Sequence, residues 1–328
     1  MPTVYRLGQK IDHYELVERL NQGSAGSVYL ACDLDSLQQV VLKFPSDDLI
    51  DGAAIFARYR REAKIGRYLD HPLIQRHLNL DETRSRDYLV LEYIPGRNLR
   101  SLMRERAPLL FSTQEILNYI LPICKVLVYV HSQGVIHQDI KPENVLVLDN
   151  GEIRLIDFGI ALEKKERRLF THGYSKFIGT PDYMAPERLL GRSGDESTDV
   201  YAVGVMLYEM FCGNTPFEAL DGSTALISQN VSDDPPDVLR FNPDLPPALA
   251  TIIMHAVRRD TQHRYASISD LLSDLRHLDT AIPVDYVPTP PKPVRRYWPI
   301  LRVIFIIVSI FLMMLAFGVF AQLAHHVH

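Results

Sequence analysis

The chain has 328 residues, with 35 Lys+Arg against 40 Asp+Glu and a net charge of -5. That length holds one large domain of about 270 residues plus an appendage, and the charge leaves no electrostatic footprint for nucleic acid. Cys32, Cys124 and Cys212 are scattered through apolar stretches without C-x-x-C spacing, which excludes a zinc site or disulfide framework and predicts buried thiols in a reducing compartment.

Residues 1–16 carry charges throughout and no apolar core, so they do not read as a secretory signal. Tyr14 to Arg19 alternate weakly and predict a first strand. Then come Leu20, Asn21, Gln22, Gly23, Ser24, Ala25, Gly26, Ser27 and Val28. Glycines at such spacing let a backbone turn tightly and approach phosphates, and Asn21 is expected to turn by tolerating positive φ. In the β-rich run Gln39 to Phe44, Lys43 interrupts apolar residues, where a charge needs a partner or a ligand. Residues 57–65 predict a helix carrying Glu62, with Phe56, Tyr59, Ala63 and Leu69 as its apolar face and His71-Pro72 as its break.

Ile74 to Leu80 and Tyr88 to Glu92 predict two further strands, followed by a Pro95-Gly96 turn. Ser112 to Glu115 form a capping signal for a helix over residues 116–133, stopped by Gly134. That helix is apolar around much of its circumference and therefore buried, with Pro122 as a kink point. Val145 to Leu148 and Ile153 to Ile156 flank Asn150-Gly151, the signature of a β-hairpin. A hairpin folds its ends together and brings Asp157 toward Asn144 and Asp139, a set of oxygen ligands that suits Mg²⁺.

A charged run over residues 163–168 precedes Thr171 and Ser175, and residues 199–210 predict a strongly apolar helix with Asp199 at its start. Capping is one reading of Asp199. Helices continue to about Leu278. Six prolines between Ala281 and Pro299 predict a semi-extended linker. Val303 to Ala324 is uncharged, about twenty-two residues or roughly 33 Å of helix, enough to cross a hydrocarbon core. Lys292, Arg295, Arg296 and Arg302 precede it, with Tyr297 and Trp298 at its edge, which orients the preceding domain to the cytoplasm.

Three ordered motifs carry a family resemblance: His137-Gln138-Asp139-Ile140-Lys141-Pro142-Glu143-Asn144, Asp157-Phe158-Gly159 and Ala185-Pro186-Glu187. They resemble the H-R-D-L-x-x-x-N, D-F-G and A-P-E segments of the protein kinases. Lys141 is similar to the serine/threonine branch, and the short catalytic segments resemble its bacterial members. The resemblance covers about residues 14–278 and implies an α+β, bilobal protein kinase fold: a small lobe over 14–93 and a mainly helical lobe over 96–278. Around it lie an extension over 1–13, the linker over 279–299, one transmembrane helix over 300–324 and a tail over 325–328.

By the same resemblance, ATP and Mg²⁺ are the cofactors, and Ser or Thr hydroxyls of proteins are the acceptors. Asp139 would take the hydroxyl proton, Lys141 would steady the γ-phosphate, and Asn144 and Asp157 would hold magnesium. Leu20, Gly23, Ser24, Ala25, Gly26 and Val28 would cover the nucleotide. Lys43 with Glu62 would hold the α/β-phosphates, and the backbone of Glu92 and Ile94 would meet the adenine. Thr171 and Ser175 are candidate phosphosites. Thr180, Asp199 and a Glu187–Arg264 ion pair would be structural. The implied protein is a tail-anchored, single-pass membrane kinase whose partners are protein substrates and a lipid bilayer. Its oligomeric state is not legible.

Two departures stand out. Asn21 replaces the first loop glycine, and Gln138 replaces the Arg before the catalytic Asp. A neutral Gln cannot make the bidentate, charge-assisted contact that Arg makes with phosphate. The expectation is a kinase that does not depend on loop phosphorylation through that contact. The alternatives are a catalytically weak pseudokinase acting as a membrane-tethered scaffold, and a small-molecule phosphotransferase of kinase-like fold.

Overall fold

A computed structural model describes residues 5–23, 26–46, 52–164, 180–217 and 229–278. Its first part is a six-stranded antiparallel sheet in the order β1-β2-β3-β4-β6-β5. These are β1 (Lys10–Ile11), β2 (Tyr14–Gly23), β3 (Gly26–Asp33), β4 (Gln39–Pro45), β5 (His77–Leu78) and β6 (Leu89–Glu92). Side chains of a strand alternate between faces. Val40, Leu42 and Phe44 of β4 therefore join Tyr14, Tyr29 and Tyr88 in an aromatic core on one face. Phe44 lies 5.9 Å from the Tyr29 ring and 5.4 Å from that of Tyr88. Val41 turns to the other face with Leu89 and Leu91, and Lys43 shares that direction.

Helix α1 (Gly52–Gly66) packs beside this second face. Its inward side carries Ile55, Glu62 and Ile65 together with the predicted Tyr59 and Ala63, which pack against Val41, Leu89 and Leu91, and the predicted Leu69 is buried just beyond it; of the predicted face only Phe56 turns outward. Phe56 is 41% exposed and stacks on Tyr59 instead. Glu62, a charge that an apolar count leaves out, shares this inward side, where Lys43 meets it. The strand predicted over residues 74–80 shrinks to two residues, His77–Leu78. Around it, Ile74 bridges to Leu155 and Gln75 donates to the Leu155 carbonyl, so those groups serve the second lobe.

The second lobe is mainly helical. Short strand β7 (Arg97–Asn98) leads into α2 (Leu99–Arg106) and α3 (Thr113–Ser132). Ser112 caps α3 in a reciprocal capping box with Glu115, and the helix runs unbroken through Pro122. Strand β8 (Val135–Ile136) precedes the hairpin of β9 (Val145–Val147) and β10 (Ile153–Leu155), in register Val147 to Ile153. The connection passes through Gly151 at φ +82°. Strand β11 (Leu162–Glu163) pairs with β8. Then follow α4 (Pro186–Leu189), α5 (Glu196–Cys212), α6 (Pro247–Ala256) and α7 (Ile268–Arg276).

Helix α5 is buried from Ser197 to Phe211 and forms the axis against which α3, α6 and α7 pack. Of the three thiols, only Cys124 is fully buried; Cys32 and Cys212 are half-buried. Cys32 lies on β3, whose residues alternate in burial, and Cys212 is the last residue of α5, where the helix leaves the core. Among the described residues no helix is long and apolar enough to cross a membrane. The predicted linker and span lie outside the described residues, as do Ser24, Ala25, Thr171 and Ser175.

Candidate active site

The start of β3 is fixed by a close approach to β4. Gly26 has φ +145°, and a Cβ there would stand 1.9 Å from the Phe44 carbonyl oxygen, so only glycine fits. Asn21 does not use positive φ; it lies in β2, paired with Val28. The substitution is thus accommodated by extended backbone rather than by a left-handed turn. Leu20, within β2, is 43% exposed, and Val28 packs against Val41, Leu89 and Leu91.

Lys43 reaches Glu62 Oε1 at 2.7 Å and Oε2 at 2.9 Å, and Asp157 Oδ1 at 2.8 Å. The pair joins the sheet to α1, and the third contact joins both to the hairpin's end. Burial works against the Lys43 ammonium, but Asp157 and Glu62 outweigh it and hold it charged. Burial also opposes ionisation of Asp157, yet Lys43 and the Gly159 amide keep its carboxyl well below the usual range. Glu62 is pushed up by burial, which Lys43 only partly counters. One cation facing two carboxylates leaves an excess of negative charge.

Asp139 sits between β8 and β9. Its Oδ2 is 2.8 Å from Lys141 Nζ and accepts from Asn144 Nδ2 at 2.9 Å. Lys141 Nζ also donates to Thr180 Oγ1 at 2.9 Å. Lys43, Glu62, Asp139, Lys141, Asp157 and Gly159 line one cavity of about 210 Å³. Asp157 Oδ2 and Asn144 Oδ1 take no hydrogen bond among the described residues. Each keeps an oxygen for a hard cation, so the donor set fits Mg²⁺.

At the far end of β6, the Glu92 amide donates to the Arg76 carbonyl at 2.9 Å. Its carbonyl accepts from Gln75 Nε2 at 2.8 Å and keeps a second lone pair. Ile94 is buried just beyond.

The loop bearing Asp139 is gripped from below. Asp199 accepts from the His137 amide at 2.9 Å, from the Gln138 amide at 2.8 Å and lies 2.8 Å from His131 Nε2. Its carboxyl is wholly buried and is still held low: burial opposes ionisation, while these donors and the nearby histidines favour it. The cap of α5 is Asp195, not Asp199. Gln138 adopts φ +66°, and its Nε2 is buried without a hydrogen-bond partner among the described residues. Phe158 packs on the His137 ring at 4.7 Å. Glu187 and Arg264 make a bidentate pair, both contacts 2.8 Å.

Sequence reasoning missed a second charged cluster. Arg100 of α2 bonds Glu143 at 2.8 Å and Glu209 at 2.6 Å, and Tyr183 bonds both Arg100 and Glu209. It ties the Asp139 loop to α5. The available signal was Glu209 itself, a lone carboxylate deep in an apolar helix.

The family model described as the protein kinase domain matches residues 14–275. Serine/threonine-protein kinase PknD of Chlamydia caviae is 32% identical over 293 residues, which cover 82% of this chain and 31% of that protein. Serine/threonine-protein kinase PrkC of Bacillus subtilis is 30% identical over 271 residues, covering 82% and 41%. The chain thus spans less than half the length of these relatives. Among solved structures, a point mutant of the Mycobacterium tuberculosis PknI kinase domain superposes with a TM-score of 0.65 at 22% identity, over 84% of this chain and all of that one. At that identity the likeness speaks for the fold.

Proposed function

The chain belongs to the protein kinase family, alongside the bacterial serine/threonine kinases, and from that membership we propose that it transfers the γ-phosphoryl group of ATP to Ser or Thr hydroxyls of proteins at the cytoplasmic face of a membrane. The observation that carries this reading is the shared cavity of Lys43, Asp139, Lys141 and Asp157. Asp139 orients the acceptor hydroxyl and takes its proton. Lys141, already between Asp139 and Thr180, is set to steady the transferring phosphoryl group. Lys43, pinned by Glu62, holds the α/β-phosphates. Asn144 and Asp157 are the residues that would hold Mg²⁺, which when bound neutralises charge on the phosphates. These groups act by positioning and electrostatics.

A catalytically silent scaffold is the less favoured reading, because binding alone would not call for an acceptor base beside the phosphate-facing lysines. The kinase domain is assigned to residues 14–278, with Thr180, Glu187, Asp199 and Arg264 as its internal supports. Membrane attachment rests on the uncharged stretch from Val303 to Ala324, preceded by Arg295, Arg296 and Arg302.

The test uses the full chain with labelled ATP and Mg²⁺, beside Lys43→Met. The expected result is a protein that resists alkaline extraction from membranes and labels itself or a generic protein substrate, with labelling abolished by the substitution. A wild type that labels nothing, or a Lys43→Met variant that labels as well, would overturn the transfer reading. Release by alkaline extraction would overturn the membrane reading. Because Gln138 is neutral and its amide is buried, the double substitution Thr171→Ala, Ser175→Ala is expected to keep transfer within about threefold of wild type, a difference of under ~1 kcal/mol. An inactive but folded double variant would show that loop phosphorylation is required.

A further inference from the structure

Residues 75 and 76 grip Glu92, the last residue of β6, at three points. Its amide donates to the Arg76 carbonyl at 2.9 Å, its carbonyl accepts from Gln75 Nε2 at 2.8 Å, and its carboxylate meets the Arg76 guanidinium at 3.2 and 3.3 Å. The carboxylate contact faces outward: Arg76 is 62% exposed, and such a pair contributes little. The Gln75 contact is partly buried and falls on the backbone oxygen itself. A carbonyl can only accept, so the nitrogen end of the Gln75 side-chain amide must face it. Gln75 is in turn fixed from the second lobe. Its backbone amide donates to the Leu155 carbonyl at 3.1 Å, the Leu155 amide donates to the Leu73 carbonyl at 2.7 Å, and Ile74 bridges to Leu155 in parallel. Leu155 ends β10, two residues before Asp157.

We propose that Gln75 is a positioning residue that sets base specificity, aiming the Glu92 carbonyl so that it accepts only from a base with a donor at position 6. The 6-amino group of adenine is such a donor, whereas guanine carries an acceptor oxygen there. A carbonyl free to turn can swing away from that oxygen. Bonded to Gln75, it keeps its direction and one open lone pair, so guanine would set two acceptors face to face in a partly buried site. An apolar side chain of the same length at position 75 would fill the same space and hold nothing. The tie to Leu155 adds a second effect. The strand that delivers Asp157 to the phosphate end of the site also fixes the residue that aims the base end. Both ends of the nucleotide are thereby referred to β10.

This inference rests on the kinase reading, and the experiment separates the two. Wild type, Gln75→Ala and Gln75→Met are compared as full chains for kcat/KM with ATP and with GTP, each with Mg²⁺, by labelling of the chain itself or of a generic protein substrate. The melting temperature of each is taken alongside. Met keeps the length and roughly the volume of Gln without a donor, so it separates the hydrogen bond from the packing. Wild type is expected to prefer ATP over GTP by about 10²-fold or more. Both substitutions are expected to cut that preference by about five- to tenfold, the worth of one hydrogen bond to the carbonyl. A wild type that transfers from neither nucleotide overturns the kinase reading. An active wild type that uses both nucleotides equally overturns this one, as does a Gln75→Met variant with an unchanged preference. So do variants that slow ATP and GTP alike or only melt earlier, since a purely structural part would do the same.

Discussion

Replacing Asp139 by Asn is expected to slow phosphoryl transfer by roughly 10²–10⁴-fold, the usual worth of a positioned proton acceptor, while leaving ATP affinity within about twofold. Asn keeps the shape of the side chain and can still accept from Asn144 Nδ2, so the loop is held. It loses the negative charge that Lys141 neutralises at 2.8 Å and the basic oxygen that faces the cavity. The nucleotide contacts proposed for Lys43 lie elsewhere, which is why binding and transfer are expected to separate. Single-turnover transfer and equilibrium ATP binding on the same preparation measure both. A variant that retains more than about a tenth of the wild-type rate would remove Asp139 from the proton-accepting role.

The largest expected effect on stability comes from Arg264→Ala. The guanidinium is fully buried, and it makes two 2.8 Å contacts to Glu187 and further bonds to the carbonyls of Ser197, Arg258 and Arg259. Truncation strands the Glu187 carboxylate and three or more acceptors at once. A loss of about 3–5 kcal/mol in unfolding free energy follows from leaving a buried charge without its partner. Urea unfolding followed by far-ultraviolet circular dichroism measures it. A loss below about 1 kcal/mol would mean that water reaches Glu187 in the variant and that the pair is not a buried one.

What the sequence made legible was local. The capping box of Ser112 and Glu115 and the Asn150-Gly151 hairpin are each written within a few residues, and each is built as written. The Lys43 anomaly was equally local: a charge in an apolar strand announces that something must meet it. What stayed illegible is pairing across long separations. Arg100 and Glu209 stand 109 residues apart, and neither carries a mark of the other. Gln75 meets the Glu92 carbonyl 17 residues on, a contact for which sequence has no periodic signal. Phe56 misled because an aromatic ring counts as apolar wherever it points, while Tyr59, Ala63 and Leu69 of the same predicted face do pack inward.

Asp199 has a consequence for how this loop can vary. It holds His137 and Gln138 by their peptide amides, groups that nineteen of the twenty residues share. The anchor therefore holds the loop through its backbone; proline at position 138 would remove the donor it needs, and a β-branched residue would be strained at φ +66°. Among unbranched residues that tolerate this backbone, such as Gln and Arg, an exchange leaves both amide contacts to Asp199, and with them the mount of the Asp139 carboxylate, in place. Position 138 is therefore a site where a lineage can gain or discard control of the enzyme while its chemistry stays intact.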